Sequence, residues 1–240
     1  MKNKKIFFFH VPKCAGLSLF FALSKSLNSF RIPGRCYITK SIEKNSNFDF
    51  FISKKINTTN ISLGIKPNHY FSGEIYNILF QKLGNFELLS GHLPSRALKE
   101  SQRYTFTILR DPIDRAISNY RFDLQRGLYS INDKIKDLYS KEILQPNLMT
   151  CFFSDDGKPK IKSAIKNIKK LNLITDVKEI DSLYIYLTNF FDLKHADLIH
   201  QNKTQIQTEI NNEELEHIKK FNKVDEEFYK ECKPFFHNFK

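Results

Sequence analysis

Hydrophobic positions near the start of the chain come in two blocks. In KIFFFHVPKCAGLSLFFALS, Lys5 to Ser24, four apolar residues run together, His10, Pro12 and Lys13 interrupt them, and a second apolar stretch follows at once. An unbroken run of this length reads as a strand buried on both faces. The second stretch has Leu17, Phe20, Phe21, Leu23 and Leu27 on a broad common face, which predicts a helix from about Ala15 to Phe30. A secretory signal would need a longer apolar core and a small-residue cleavage site. The pattern instead predicts a strand, a short loop and a helix.

The same alternation recurs further on. FELLSGHLP (Phe86–Pro94) predicts a buried strand ending in a polar turn, and YTFTILRDP (Tyr104–Pro112) predicts a second, with the β-branched and aromatic residues of a central strand. Asp111 and Pro112 end that strand and open a helix running to about Arg126, with Gly127 as its stop. KIKSAIKNIKKLN places Ile161, Ile165, Ile168 and Leu171 on one face of a basic helix. That helix reads as a solvated outer face of the fold, with peripheral contact to a membrane surface as the other reading. LITDVKEIDSLYIYLTNFF predicts a short strand and then a helix from near Glu179, and the last thirty or so residues predict one or two more helices. Residues 39–70, rich in Asn, Ser and Lys, carry no legible pattern. Buried strands alternating with helices predict an α/β fold: a mainly parallel sheet flanked by helices on both faces, a helical C-terminal half, and one domain over residues 1–240.

Charge sharpens this picture. Thirty-eight Lys and Arg against 26 Asp and Glu give a formal net charge of +12, which favours anionic partners such as nucleotides or acidic polysaccharide. A Lys/Asn/Ile-rich compositional bias accounts for the same number without any partner. Cys14, Cys36, Cys151 and Cys232 form no C-x-x-C pair, so neither a zinc ribbon nor a disulfide scaffold is indicated. Reduced thiols in a cytoplasm are the simplest expectation. No stretch approaches the ~18 apolar residues of a membrane span.

Two short stretches carry chemistry. In HVPKCAGLS (His10–Ser18), a strand delivers the chain to a helix start, where backbone N–H groups and the helix dipole favour an anion. Gly16 lets the backbone come close, Lys13 supplies a point charge and Ser18 a hydroxyl. The G-x-x-x-x-G-K-[ST] pattern of ATP-hydrolysing loops is absent, because Lys13 precedes the glycine, and no carboxylate stands out for magnesium. In LRDPIDRAISNY (Leu109–Tyr120), Arg110 falls at the carboxyl end of a strand, where open α/β sheets bind ligands. Ser118 follows about two helical turns later, so the two can converge on one phosphate. Taken singly, each is also compatible with a structural cap or ion pair.

Together, FFFHVPKCAGLS resembles the 5′-phosphosulfate loop, and FTILRDPIDRAISNY the 3′-phosphate motif, of sulfotransferases that use 3′-phosphoadenosine 5′-phosphosulfate. The similarity is greatest to the carbohydrate branch that includes heparan sulfate 2-O-sulfotransferase. There the loop typically reads I-P-K-T-A-G-T-S and the second motif R-D-P-x-x-R-x-x-S-x-Y/F. This chain matches the second at every fixed position and carries Cys14 and Leu17 where the first has threonines. The resemblance implies a P-loop NTPase-like three-layer fold. It implies donor contacts from Lys13, Cys14, Ala15, Gly16, Leu17 and Ser18, and from Arg110 and Ser118 on the 3′-phosphate. HQNKT (His200–Thr204) resembles the C-terminal nucleotide loop, which implies contacts from Lys203 and Thr204, and NKVDEEFY resembles the closing helix. SGHLP (Ser90–Pro94) resembles the Gly-His turn, which implies His92 as the base. NLMTCFF (Asn147–Phe153) resembles a segment that often carries Arg where this chain has Cys151.

The residue types suit sulfuryl transfer. Charge building on the leaving phosphate would be stabilised by Lys13 and the loop amides. The acceptor hydroxyl would lose its proton to His92, since imidazole titrates in the right range. His10, beside Lys13, is expected to pack under the loop. The expectation is an enzyme acting without metal on a hydroxylated carbohydrate, polysaccharide or glycolipid, and not on nucleic acid. A P-loop-type kinase, a non-catalytic basic module binding nucleotide or acidic glycan, and a degenerate donor-binding protein remain as alternatives.

Overall fold

A computed structural model describes residues 5–27, 88, 90, 91, 95, 103–198 and 208–239, together with the strand backbone alone at 36–37, 51–52, 60–64, 89 and 92. Five strands form one sheet in the order β4-β5-β1-β6-β7, every pairing parallel: β1 (Ile6–Phe9), β4 (Asn60–Gly64), β5 (Leu88–His92), β6 (Tyr104–Leu109) and β7 (Leu173–Asp176). A two-residue antiparallel pair, β2 (Cys36–Tyr37) with β3 (Phe51–Ile52), stands apart from it.

β1 is the middle strand, and all four of its side chains are buried because both faces of the sheet are covered. Phe8 stacks on Phe106 of β6 at 4.7 Å between ring centroids. Tyr104, on the same face of β6, meets Phe190 and Phe191 at the end of α6 (Ile180–Phe190). On the opposite face, Phe9 meets Phe152 and Phe153 of α4 (Leu148–Phe153), and Phe153 in turn meets Phe228 of α8 (Lys223–Cys232). Helix, sheet and helix make the three layers. The abundance of Phe in the sequence is thus spent on the two sheet–helix interfaces.

The helices after β1 and β6 decide where a ligand can lie. α1 (Gly16–Ser26) follows β1 and closes at Leu27, three residues earlier than its apolar face alone predicts. α2 (Pro112–Gln125) follows β6. Its N-cap, Asp111, accepts from the N–H groups of Ile113 and Asp114 at 3.0 and 3.1 Å, and Gly127 ends it at φ 69°. A second, smaller core joins α2 to α3 (Ile135–Ser140) and α7 (Asn212–Phe221) through Ala116, Tyr120, Leu138, Tyr139 and Ile218. α5 (Ile161–Ile168) leads into β7. Its basic outer face is solvent-exposed at Lys162 and Lys166, as a solvated surface requires.

The edge strand β4 arises inside the stretch that showed no pattern. Its sequence, NISLG, has only two strongly apolar residues, because a strand at the border of a sheet needs less burial than one at its centre.

α4 and α8, about 75 residues apart in sequence, cap each other. Asp225 of α8 accepts from the N–H groups of Met149 and Thr150, and from the Thr150 hydroxyl at 2.6 Å. Asn147, at the N-cap of α4, accepts from the N–H groups of Val224 and Asp225.

Candidate active site

Parallel strands share one carboxyl edge, so the ends of β1, β5, β6 and β7 bring His10, His92, Arg110 and Asp176 to the same border of the sheet. Between Val11 and Gly16 the chain turns sharply. Lys13 and Ala15 both take left-handed backbone angles, φ 68° and 54°, a conformation costing L-residues about 1–2 kcal/mol each. Strain of this kind concentrates at ligand sites. The Cys14 N–H closes the turn on the Val11 carbonyl at 3.3 Å. α1 then starts with no side-chain cap and no acidic residue in its first turn, which leaves its leading N–H groups available to an anion.

Gly16 is required by what lies beneath it. A Cβ there would fall 1.9 Å from Nε2 of His10. His10 is 7% exposed and stacks on Phe8, so it packs under the loop as expected from its place in the sequence. Gly16→Ala is expected to lower stability by about 1–3 kcal/mol, the usual range for overpacking. Urea denaturation of G16A and of the double variant G16A/H10A checks this: removing the imidazole should restore most of the loss. Equal stability of wild type and G16A would show that the loop tolerates a side chain there.

Cys14 faces the core. It is fully buried, its Sγ lies 3.8 Å from the Pro12 carbonyl, and burial pushes the thiol up to about 12. With its N–H also engaged, it forms part of the loop's floor. Leu17 is half-buried and Ser18 is buried in the first turn.

Arg110 reaches back across the loop, with Nη1 3.4 Å from the Lys13 carbonyl. The Lys13 ammonium lies over the Phe122 ring of α2, 3.7 Å from its centroid. Ser118 is one turn before Phe122 on the same helix and half-buried, so Lys13, Arg110 and Ser118 surround one patch of the carboxyl edge. Burial lowers the Lys13 ammonium to about 8; Asp123 raises it, and Arg110 and Arg115 lower it. Asp123 is held by Nδ2 of Asn119 at 2.9 Å, and burial raises its pKa while Arg126 and Lys13 oppose that shift. Lys13 and Arg110 flank this patch and offer positive charge to a phosphate-bearing ligand.

Arg115 adds a charge that the motif contained but its spacing did not explain. It is 2% exposed, its Nε has no hydrogen-bond partner, and it makes no ion pair within 4.0 Å among the described residues. Its charge acts on both Cys14 of the loop and the buried Asp225. Burial raises the Asp225 pKa, and Arg115 works against that rise. Phe122, Asp123 and Asn119 were missed as well; Phe122 and Asp123 are the i+4 and i+5 positions from Ser118, Asn119 holds Asp123, and only the folded helix shows that Lys13 lands over Phe122 beside Asp123.

The backbone of His92 ends β5, paired with Gly64 of β4, and the His10 N–H donates to the neighbouring Gly91 carbonyl at 3.0 Å. Lys203 and Thr204 lie outside the described residues. Four residues after Thr204, the Thr208 carbonyl accepts from both Nε and Nη2 of Arg121, at 3.2 and 2.6 Å, one turn along α2 from Ser118. Cys151 is 4% exposed and turned inward, with its thiol pushed up to about 12 by burial. Among the described residues, no cluster of His, Cys, Asp or Glu could hold a metal ion, and no helix is long and apolar enough to cross a membrane.

A family model described as the sulfotransferase family matches residues 1–152, well over half of the chain. The chain belongs to the sulfotransferase family. No curated protein matches it. The matched stretch of this sulfotransferase carries the strained loop, His92 and the whole RDPIDRAIS motif, and it stops within α4. The reaction of such an enzyme is sulfuryl transfer to a hydroxyl-bearing acceptor. Asp225, which caps α4, belongs to the part of this sulfotransferase beyond the match.

Proposed function

We propose that this sulfotransferase takes its sulfuryl group from 3′-phosphoadenosine 5′-phosphosulfate and passes it to a carbohydrate hydroxyl, in the manner of the heparan sulfate 2-O-sulfotransferase branch. The observation that carries the donor assignment is the convergence of two anion-binding features on one recess. The uncapped start of α1 with Lys13 suits the 5′-phosphosulfate, and Arg110 with Ser118 suits a second phosphate. A nucleotide with phosphates at both its 5′ and 3′ positions would engage both. Thr208, which follows the motif bearing Lys203 and Thr204 by four residues, is anchored to Arg121 on the helix that carries Ser118.

In this reading the departing phosphate gains negative charge as the S–O bond breaks. Lys13 and the N–H groups of Gly16, Leu17 and Ser18 stabilise that charge. Cys14 and Ala15 shape the turn that presents them. His92 takes the proton of the acceptor hydroxyl as its oxygen bonds to sulfur, and the nucleotide bisphosphate leaves. The carbohydrate acceptor, polysaccharide or glycolipid, rests on the likeness of the RDPIDRAISNY and SGHLP motifs to that branch. A cytoplasmic setting belongs to the same proposal. The kinase reading is disfavoured by the order of Lys13 and Gly16 in the loop.

Calorimetry with 3′-phosphoadenosine 5′-phosphate, AMP and ATP–magnesium tests the donor. The bisphosphate should bind without magnesium and far more tightly than AMP. Arg110→Ala should weaken it by about 1.5–3 kcal/mol, the scale of a hydrogen bond to a charged group, while leaving AMP affinity nearly unchanged. Equal affinities for AMP and the bisphosphate would remove the donor assignment.

A further inference from the structure

Beyond the carboxyl edge of β5, the chain is held by an unusual anchor. Ser95, three residues after His92, is 2% exposed, and its hydroxyl donates to the Ser154 carbonyl at 3.1 Å. Nδ2 of Asn167, on α5, lies 3.3 Å from the same hydroxyl, 2.8 Å from the Phe153 carbonyl and 3.0 Å from Oδ1 of Asp155. Asn167 is 1% exposed, and its Oδ1 accepts from the Lys170 ammonium at 2.6 Å. Ser154, also 1% exposed, turns its own hydroxyl to the Thr150 and Lys160 carbonyls. The result is a polar knot where α4 gives way to α5, with Ser95, Ser154 and Asn167 buried and Asp155 and Lys170 at its exposed rim.

Such a knot is a costly way to fill a core. Buried hydroxyl and amide groups must be satisfied, and apolar residues of similar size would pack there without that demand. A satisfied polar network gives a single geometry in return. Its nearest neighbour in the chain with proposed chemistry is His92, at the end of β5. On one side, β5 is paired with β1 and β4 up to Gly91 and His92. On the other, only two residues separate His92 from the anchored Ser95, a span of at most about 10 Å between Cα atoms. His92 therefore stands between two held points of the chain, the paired end of β5 and Ser95. Its second anchor belongs to helices of the C-terminal half, and Asn167 lies beyond the stretch matched by the family model.

We propose that Ser95 and Asn167 are positioning residues that aim His92 at the acceptor hydroxyl. This rests on the reading of His92 as the base. Misplacing a catalytic group by about 1 Å can cost 10²-fold. Loosening one of two anchors should cost less, about tenfold in kcat.

A double-mutant cycle on the full chain tests it, with turnover, donor affinity and thermal melting measured for S95A, N167A, H92A and H92A/S95A. Ser95→Ala should lower kcat about tenfold and leave the Kd for 3′-phosphoadenosine 5′-phosphate within twofold. Asn167→Ala should do the same if it melts as a folded protein. In the His92→Ala background, Ser95→Ala should cost nothing further, because the group it aims is gone. A wild-type kcat in S95A overturns the proposal while leaving His92 as base. So does a tenfold loss that persists in the H92A background, which would make Ser95 independent of His92. A near-normal rate in H92A itself overturns the reading of His92 and this inference together.

Discussion

His92→Ala is expected to lower turnover by about 10²–10⁴-fold, the range for loss of a general base, while the affinity for 3′-phosphoadenosine 5′-phosphate stays unchanged. The motivation is topological. His92 ends a strand directly beside β1, whose own end feeds the strained loop, so its backbone is next to the recess formed by Lys13, Arg110 and Ser118. The other histidines described are occupied elsewhere. His10 is packed under Gly16, His195 lies against Thr188 and Asn189, His217 lies 3.7 Å from Glu213, and His237 packs against Tyr186 and Phe239. A base must be neutral to accept a proton. The rate of the wild-type enzyme should therefore fall on the acid side of the ordinary imidazole range, about 6.5, and H92A should lose that limb. Single-turnover rates over pH 5–9 are the measurement. An alanine variant with an unchanged rate under conditions limited by chemistry would transfer the role of base to another group.

Lys13→Ala should cost about 10²–10³-fold in kcat, comparable to removing one preorganised donor from a developing oxyanion, and less in affinity for the product nucleotide. The pH dependence makes a sharper check. Lys13 acts as a cation, and burial has lowered its pKa to about 8. The protonated form is therefore lost as pH rises through about 8, and kcat/KM, which reports the free enzyme, should decline above that value. A bound anion favours the charged form, so the decline in kcat should begin at higher pH than the decline in kcat/KM. In K13R the alkaline limb should disappear, since a guanidinium does not deprotonate in this range. A K13A variant that binds the nucleotide poorly but turns over normally would make Lys13 an anchor only.

Much of this was written in local sequence. β1, β6 and β7 are short apolar runs with sharp ends, and α2 carries its cap at Asp111, its proline at Pro112 and its stop at Gly127. The loop and the RDPIDRAIS motif could be found because the residues proposed to bind the donor there are close together in the chain. The packing of His10 against Gly16 was legible for the same reason. Other parts depend on groups that meet only after folding. Nothing in NISLG announces an edge strand, because its pairing partner is 28 residues away and only two of its five residues are strongly apolar. Phe122 and Asp123 read as ordinary helix positions until the tip of Lys13 is placed over them. Arg115 is a fixed position of its motif, but its burial and its action on Asp225 of α8, which begins more than 100 residues later, show only in the folded chain. Ser95 and Asn167 carry no sequence signal at all, since a buried serine and a surface serine look alike in one dimension.

The mutual capping of α4 and α8 has a consequence for the order in which the chain can acquire its structure. The donors of Met149 and Thr150 have no permanent acceptor until Asp225 has been synthesised, and the donors of Val224 and Asp225 find theirs in Asn147. Neither helix end has its full set of protein partners by itself, so completing them closes a loop of about 75 residues. Contacts of such separation slow folding, because the entropy of closure comes before the contacts that offset it. During translation, the face of β1 bearing Phe9 would wait for Phe228 to arrive through Phe153. The catalytic edge is encoded early in the chain, but it becomes a rigid surface only when the last helices dock.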